Sequence, residues 1–167
     1  AFQNKNYLEA VHTFNKIIQI NSNNFQAFYN KGNALLGLKK FEEAFKSYNQ
    51  AIKIKPKFFQ AYNNRGLILV GLKKLNDALE CFDKAIKINP NFTEAYINLG
   101  NVFNEMKKFN KALIYYNNAI EINPNFAEAY NNRAGILNKF KKFDEALDDC
   151  NKAIKIDPKN AKAYYNL

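Results

Sequence analysis

The sequence predicts an all-α fold, an α-solenoid of antiparallel helix pairs, and three observations carry the prediction. Ala10, Ala44, Ala78, Ala112 and Ala146 fall 34 residues apart without a slip. Pro56, Pro90, Pro124 and Pro158 keep the same interval, as do Ala51, Ala85, Ala119 and Ala153. So do the aromatics Phe28, Tyr62, Tyr96, Tyr130 and Tyr164. A fixed period of this size denotes one unit stacked on itself rather than a single closed core. The chain divides into a partial repeat at 1–24, full repeats at 25–58, 59–92, 93–126 and 127–160, and the start of a truncated repeat at 161–167.

Matching columns make Ala1 to Asn6 the tail of a first helix and Tyr7 to Asn24 its partner. The repeat at 59–92 shows the pattern most fully. Phe59, Tyr62, Leu69 and Leu72, with small Ala61 and Gly66 between them, stand at helical spacing. Leu75, Ala78, Leu79, Phe82, Ala85, Ile86 and Ile88 form a second helical set. Gly71-Leu72-Lys73-Lys74 is the polar turn within the pair. Asn89-Pro90-Asn91 ends it, because proline has no N–H and biases the preceding residue away from helical angles. Helices of roughly 13 residues are marginal alone, so stacking must stabilise them. Gly32, Gly66, Gly100 and Ala134 on the first helices, with Ala44, Ala78, Ala112 and Ala146 on the second, let backbones approach closely.

The run Ala61-Tyr62-Asn63-Asn64-Arg65-Gly66, followed by Ala78, Phe82, Ala85 and Pro90, returns along the chain and resembles the tetratricopeptide repeat family. The resemblance implies a right-handed superhelix whose first helices line a concave face. Tyrosine or phenylalanine replaces the tryptophan often found where Phe28, Tyr62, Tyr96, Tyr130 and Tyr164 stand. Lys31, Arg65 and Arg133 occupy a commonly apolar column that Leu99 keeps, and their methylene stems are expected to cover apolar surface.

On the first helices one column reads Asn30, Asn64, Asn98, Asn132 and Asn166 without exception. Neighbouring columns add Asn33 and Asn101, and Asn63 and Asn131. A carboxamide offers both a donor and an acceptor, the complement of an extended peptide backbone. These asparagines are similar to the ladder in the repeat domain of O-linked N-acetylglucosamine transferases and to the peptide grip of the peroxisomal import receptor. The resemblance implies a noncatalytic scaffold binding an extended peptide or partner segment through asparagines in its concave groove. The alternative is a substrate-recognition arm of a larger enzyme such as a glycosyltransferase. The chaperone-cofactor grip on a C-terminal carboxylate is excluded, because Tyr29, Glu94 and Asn98 stand where its three basic residues are needed.

With 25 basic and 15 acidic residues the formal charge is +10. Lysines gather in the turns, as Lys39-Lys40, Lys73-Lys74, Lys107-Lys108 and Lys141-Lys142. An electrostatic track for nucleic acid or an anionic membrane is one reading of that edge and a solvated surface the preferred one, since no zinc-ligand cluster or glycine-rich nucleic-acid motif accompanies it. Cys81 and Cys150, two repeats apart, are too distant for a disulfide, and Cys150 occupies a core column. His12 stands alone, so no metal site or cofactor is expected. With no nucleophile, base and oxyanion donor converging, no enzymatic activity is expected either. The sequence holds no apolar run near 18 residues and no secretory leader, which a fragment could have lost, and reduced cysteines carry the expectation of an intracellular, cytoplasmic setting. Val11, Phe14, Ile17 and Ile18 open the stack and Ala163, Tyr164 and Leu167 close it, without the polar face a terminal repeat needs. The expectation is a fragment of a longer protein, or ends that bury against a partner, and the register of Leu167, four columns before the column of Ala1, adds the expectation of head-to-tail stacking.

Overall fold

The computed structural model describes residues 2–166, with ten α-helices and no strand among them. In order they are α1 (Phe2–Ile20), α2 (Phe25–Gly37), α3 (Phe41–Ile54), α4 (Phe59–Gly71), α5 (Leu75–Ile88), α6 (Thr93–Glu105), α7 (Phe109–Ile122), α8 (Ala127–Lys139), α9 (Phe143–Ile156) and α10 (Ala161–Asn166). They form two compact units, Ala1–Ile88 and Asn89–Leu167. Ala1 and Leu167, whose register carries the end-to-end stacking expectation, lie outside the described residues.

One element differs from expectation. α1 runs unbroken through Lys5 and Asn6, where the columns place a turn. In the later pairs that turn needs a lysine in the left-handed region, at φ 59 for Lys39 and Lys73 and φ 58 for Lys107 and Lys141. The conformation costs roughly 1–2 kcal/mol for a residue with a Cβ. A whole first helix packed on its partner offsets that cost. At Lys5 and Asn6 the backbone keeps its helical bonds instead.

The later turns share one bonding scheme. Lys40 N–H reaches Leu35 O and Lys39 N–H reaches Leu36 O, both at 2.9 Å. Lys74, Lys108 and Lys142 repeat the longer-range bond to Leu69, Phe103 and Leu137. This is the Schellman closure, which satisfies the last carbonyls of the first helix and turns the chain back on itself.

In the first unit, Leu35, Ala44, Tyr48 and Ile68 form a core cluster with Val11, Tyr29, Leu36 and Phe45 against it. A second cluster joins Ala51, Phe58 and Ala61, where the Phe58 ring meets Tyr29 at 4.9 Å and Phe25 at 5.1 Å, both edge to face. The second unit repeats the plan, with Ala134, Leu137, Ala146 and Cys150 in one cluster and Tyr130, Ala153 and Ala163 in another. Small residues do the spacing. A Cβ added to Gly32 would lie 2.6 Å from Tyr48 Cε1, and one on Gly66 2.6 Å from Phe82 Cε1. Gly100 meets Tyr116 in the same way. At the fourth repetition both partners change: Ala134 replaces the glycine where Cys150 replaces the ring, so the methyl occupies space the aromatic would have filled.

Candidate functional site

The predicted site residues lie on the first helix of each pair. In the first unit, Asn30 and Asn33 are on α2, and Asn63 and Asn64 on α4. In the second, Asn98 and Asn101 are on α6, Asn131 and Asn132 on α8, and Asn166 ends α10. Asn30, Asn64, Asn98, Asn132 and Asn166 are all half-buried. Asn30 Oδ1 accepts a long bond from Gln26 Nε2, one turn earlier on α2, at 3.4 Å.

Two sets of three side chains have the same geometry, one in each unit. Tyr48 packs its ring on Gly32, which brings its hydroxyl to the next residue, where it donates to Asn33 Oδ1 at 2.8 Å. The same oxygen accepts Asn64 Nδ2 from the following first helix at 3.0 Å. In the second unit Tyr116 donates to Asn101 Oδ1 at 2.7 Å, and Asn132 Nδ2 donates to it at 2.9 Å. Each triad thus joins the two helices of one repeat to the first helix of the next. Tyr48 is fully buried, and its phenol is pushed up to about 12 by loss of hydration. Burial raises Tyr116 still more strongly. Both phenols are therefore un-ionised at neutral pH and keep the proton they donate.

Two of the predicted residues are placed differently. Asn63 and Asn131 are 6% and 3% exposed, covered by packing, not on an open face. Asn131 Nδ2 donates to Asn160 Oδ1 at 2.7 Å, and that oxygen also accepts the backbone N–H of Ala163 at the start of α10. Asn63 Nδ2 donates to Asn64 Oδ1 at 3.3 Å. The physical reason is visible in their column, which holds Tyr29 in the first repeat and a buried Ile97 in the third: it faces neighbouring helices. Asn166 also has structural bonds, donating through Nδ2 to Asn131 O at 3.3 Å and accepting Asn138 Nδ2 at its own carbonyl at 3.0 Å.

The arginine column does more than lay stems over apolar surface. Arg133 makes a two-pronged ion pair with buried Asp149, at 2.7 Å through Nε and 2.6 Å through Nη2, while Nη1 donates to Asn117 Oδ1 at 2.7 Å. Asp149 raises the guanidinium's pKa further, first through those hydrogen bonds. Arg65 copies the arrangement with Asn49 at 3.0 Å and the Sγ of Cys81 at 3.2 and 3.3 Å. Each arginine ties a first helix to the second helices on either side of it. The signal was in the sequence: asparagine stands sixteen residues before Arg65 and before Arg133, and tyrosine fifteen residues after Asn33 and after Asn101. Both pairings recur in every second repeat, a longer period than the one that defines the helices.

Several other expectations concern single residues. His12 is exposed, and Cys81 and Cys150 are buried free thiols whose pKa values burial raises. Among the described residues no three His, Cys, Asp or Glu side chains are grouped to hold a metal ion. No helix there is long and apolar enough to cross a membrane. In the lysine turns, Lys40 pairs with Glu43 at 3.1 Å and Lys142 with Glu145 at 2.8 Å, so part of the basic edge is locally neutralised.

Paired helices joined through small residues, with amides on the first helices, define the class of helical-repeat proteins. The chain belongs to the tetratricopeptide repeat family: that repeat model matches residues 59–92, 93–126 and 127–160, and a second TPR repeat model matches 32–73. Family members are typically noncatalytic interaction scaffolds. No curated protein matches the chain in sequence. Among solved structures, MamA is 24% identical with a TM-score of 0.81, over 93% of this chain and 91% of that one. YrrB, described as a TPR protein with an unusual peptide-binding site, is 24% identical with a TM-score of 0.75, over 96% and 83%. A thermophilic TPR protein of Thermus thermophilus is 20% identical with a TM-score of 0.78, over 95% and 87%.

Proposed function

We propose that this chain is an interaction scaffold that binds an extended peptide segment of a partner protein along its first helices. Asn30, Asn33 and Asn64 contribute in the first unit, and Asn98, Asn101, Asn132 and Asn166 in the second. Asn63 and Asn131 support them from behind. The observation that carries the reading is the amide row itself, half-buried and recurrent on the helices that the family uses for recognition. Half-burial keeps a carboxamide rigid while leaving polar atoms for a ligand, and each bond made to a peptide contributes about 0.5–1.5 kcal/mol net. The similarity to YrrB, itself described by its peptide-binding site, supports the same reading.

The test uses a dodecapeptide enriched from a random display library on the wild-type protein. Replacing Asn30 and Asn98 together by alanine is expected to weaken that peptide at least tenfold in calorimetric titration, with helical circular dichroism unchanged. Unaltered affinity would reject the amide row as the contact surface.

A further inference from the structure

We infer that Asn33 and Asn101 are donor-only hooks for carbonyl oxygens, held in that orientation by the hydroxyls of Tyr48 and Tyr116. This inference rests on the peptide-binding reading and adds the polarity of two contacts within it. A free asparagine can turn its amide over and present either donor or acceptor. These two cannot do so without loss. Asn33 Oδ1 already accepts from Tyr48 at 2.8 Å and Asn64 at 3.0 Å, which uses both lone pairs. Asn101 Oδ1 accepts from Tyr116 at 2.7 Å and Asn132 at 2.9 Å. Flipping either amide would set its NH₂ against the NH₂ of Asn64 or Asn132, and would oblige the tyrosine hydroxyl to give up its bond and accept instead. What remains is the Nδ2 group, which has no acceptor among the described residues although each side chain is half-buried. A fixed pair of N–H donors, neutral and partly desolvated, fits a neutral acceptor such as a peptide carbonyl.

The tyrosines are positioning residues, since they touch the hook and not the peptide. Their assignment gains support from the other repeats, where hook and hydroxyl are absent together. Leu67 takes the place of Asn33 where Phe82 takes that of Tyr48, and Gly135 does so where Cys150 does. Phe82 and Cys150 are as deeply buried as the two tyrosines, so the aromatic or thiol body alone satisfies packing. The hydroxyl is present where there is an amide to hold.

Replacing Asn33 and Asn101 by aspartate separates internal from outward bonding. A carboxylate still accepts from the tyrosine and from Asn64 or Asn132, so the fold keeps its links, but the outward donors are gone. The expected result with the library-selected dodecapeptide is a loss of at least tenfold in affinity at a melting temperature within a few degrees of wild type. Tyr48→Phe with Tyr116→Phe is expected to give an intermediate loss of about fivefold. On the wild-type protein, which needs no variant to fold, the Asn33 and Asn101 side-chain NH₂ resonances should move when the peptide is added. Unmoved resonances, or aspartate variants that bind as wild type while the Asn30→Ala, Asn98→Ala protein does not, would overturn the hooks and leave peptide binding standing. Failure of the library to enrich any peptide would instead remove the broader reading.

Discussion

A phenol enclosed by protein is a weaker acid than one in water, and this makes Tyr48 and Tyr116 measurable through stability. With Tyr48 raised to about 12 and an unfolded value near 10, the unfolded chain releases its proton first. The folded state then binds more protons than the unfolded one, so stability falls as pH rises from about 10 to 12, with a slope near 1.4 kcal/mol per pH unit for each such group. Below pH 10 the contribution is constant. Urea midpoints measured from pH 8 to 11.5 should drop more steeply for the wild type than for Tyr48→Phe, Tyr116→Phe, and parallel curves would contradict the burial of these hydroxyls. The arginine columns allow a second comparison. Asp149 gives Arg133 two charged bonds where Cys81 gives Arg65 two weak ones. Transplanting the acid as Cys81→Asp is expected to add about 1 kcal/mol at pH 7, because the guanidinium is already in place and already desolvated. A lower urea midpoint for Cys81→Asp would show that desolvating the new carboxylate outweighs the pairing.

At the level of helices, spacing between partners is set by which small residue faces which large one. Gly66 leaves no room for a Cβ, since Phe82 Cε1 would stand 2.6 Å from it. Gly66→Ala is therefore expected to cost about 2 kcal/mol despite the better helix propensity of alanine. Coupled to Phe82→Cys, which copies the Ala134–Cys150 pair, the alanine should cost much less. A double-mutant cycle is expected to return about 1 kcal/mol or more of coupling, and additive effects would refute the contact. The existence and type of these helices were legible from the alanine, proline and aromatic columns, because each column is dictated by a contact repeated along the stack. The unbroken course of α1 was not, since a column records the residue and not the backbone conformation it takes. Nor was the burial of Asn63 and Asn131: their amides were grouped with exposed neighbours by residue type, although Tyr29 and Ile97 in the same column indicate a packing face. The triads and arginine ties escaped for a different reason. They join residues 15, 16 or 31 apart, from different columns, and alternate between repeats, so comparing columns one at a time does not reveal them.

The chain as a whole carries a formal charge of +10, yet the residues proposed for recognition are neutral amides, and this separates two kinds of partner by their response to salt. At 0.15 M ionic strength the screening length is about 8 Å, so surface lysines act weakly on a ligand held by amides on another face. Short-range hydrogen bonds from carboxamides to a peptide backbone release no condensed counterions. A nucleic acid held by the turn lysines would release them, and its affinity would fall by orders of magnitude over a modest rise in salt. The pairing of Lys40 with Glu43 and Lys142 with Glu145 further weakens the basic edge as a continuous track. For the library-selected dodecapeptide, affinity is expected to change less than about threefold between roughly 50 and 500 mM sodium chloride. A single-stranded RNA titrated under the same conditions should bind weakly and lose that binding early in the series. If the peptide instead followed the steep salt dependence of the RNA, charge on the lysine edge would be its anchor, and the amide row would have to be assigned to holding repeats together.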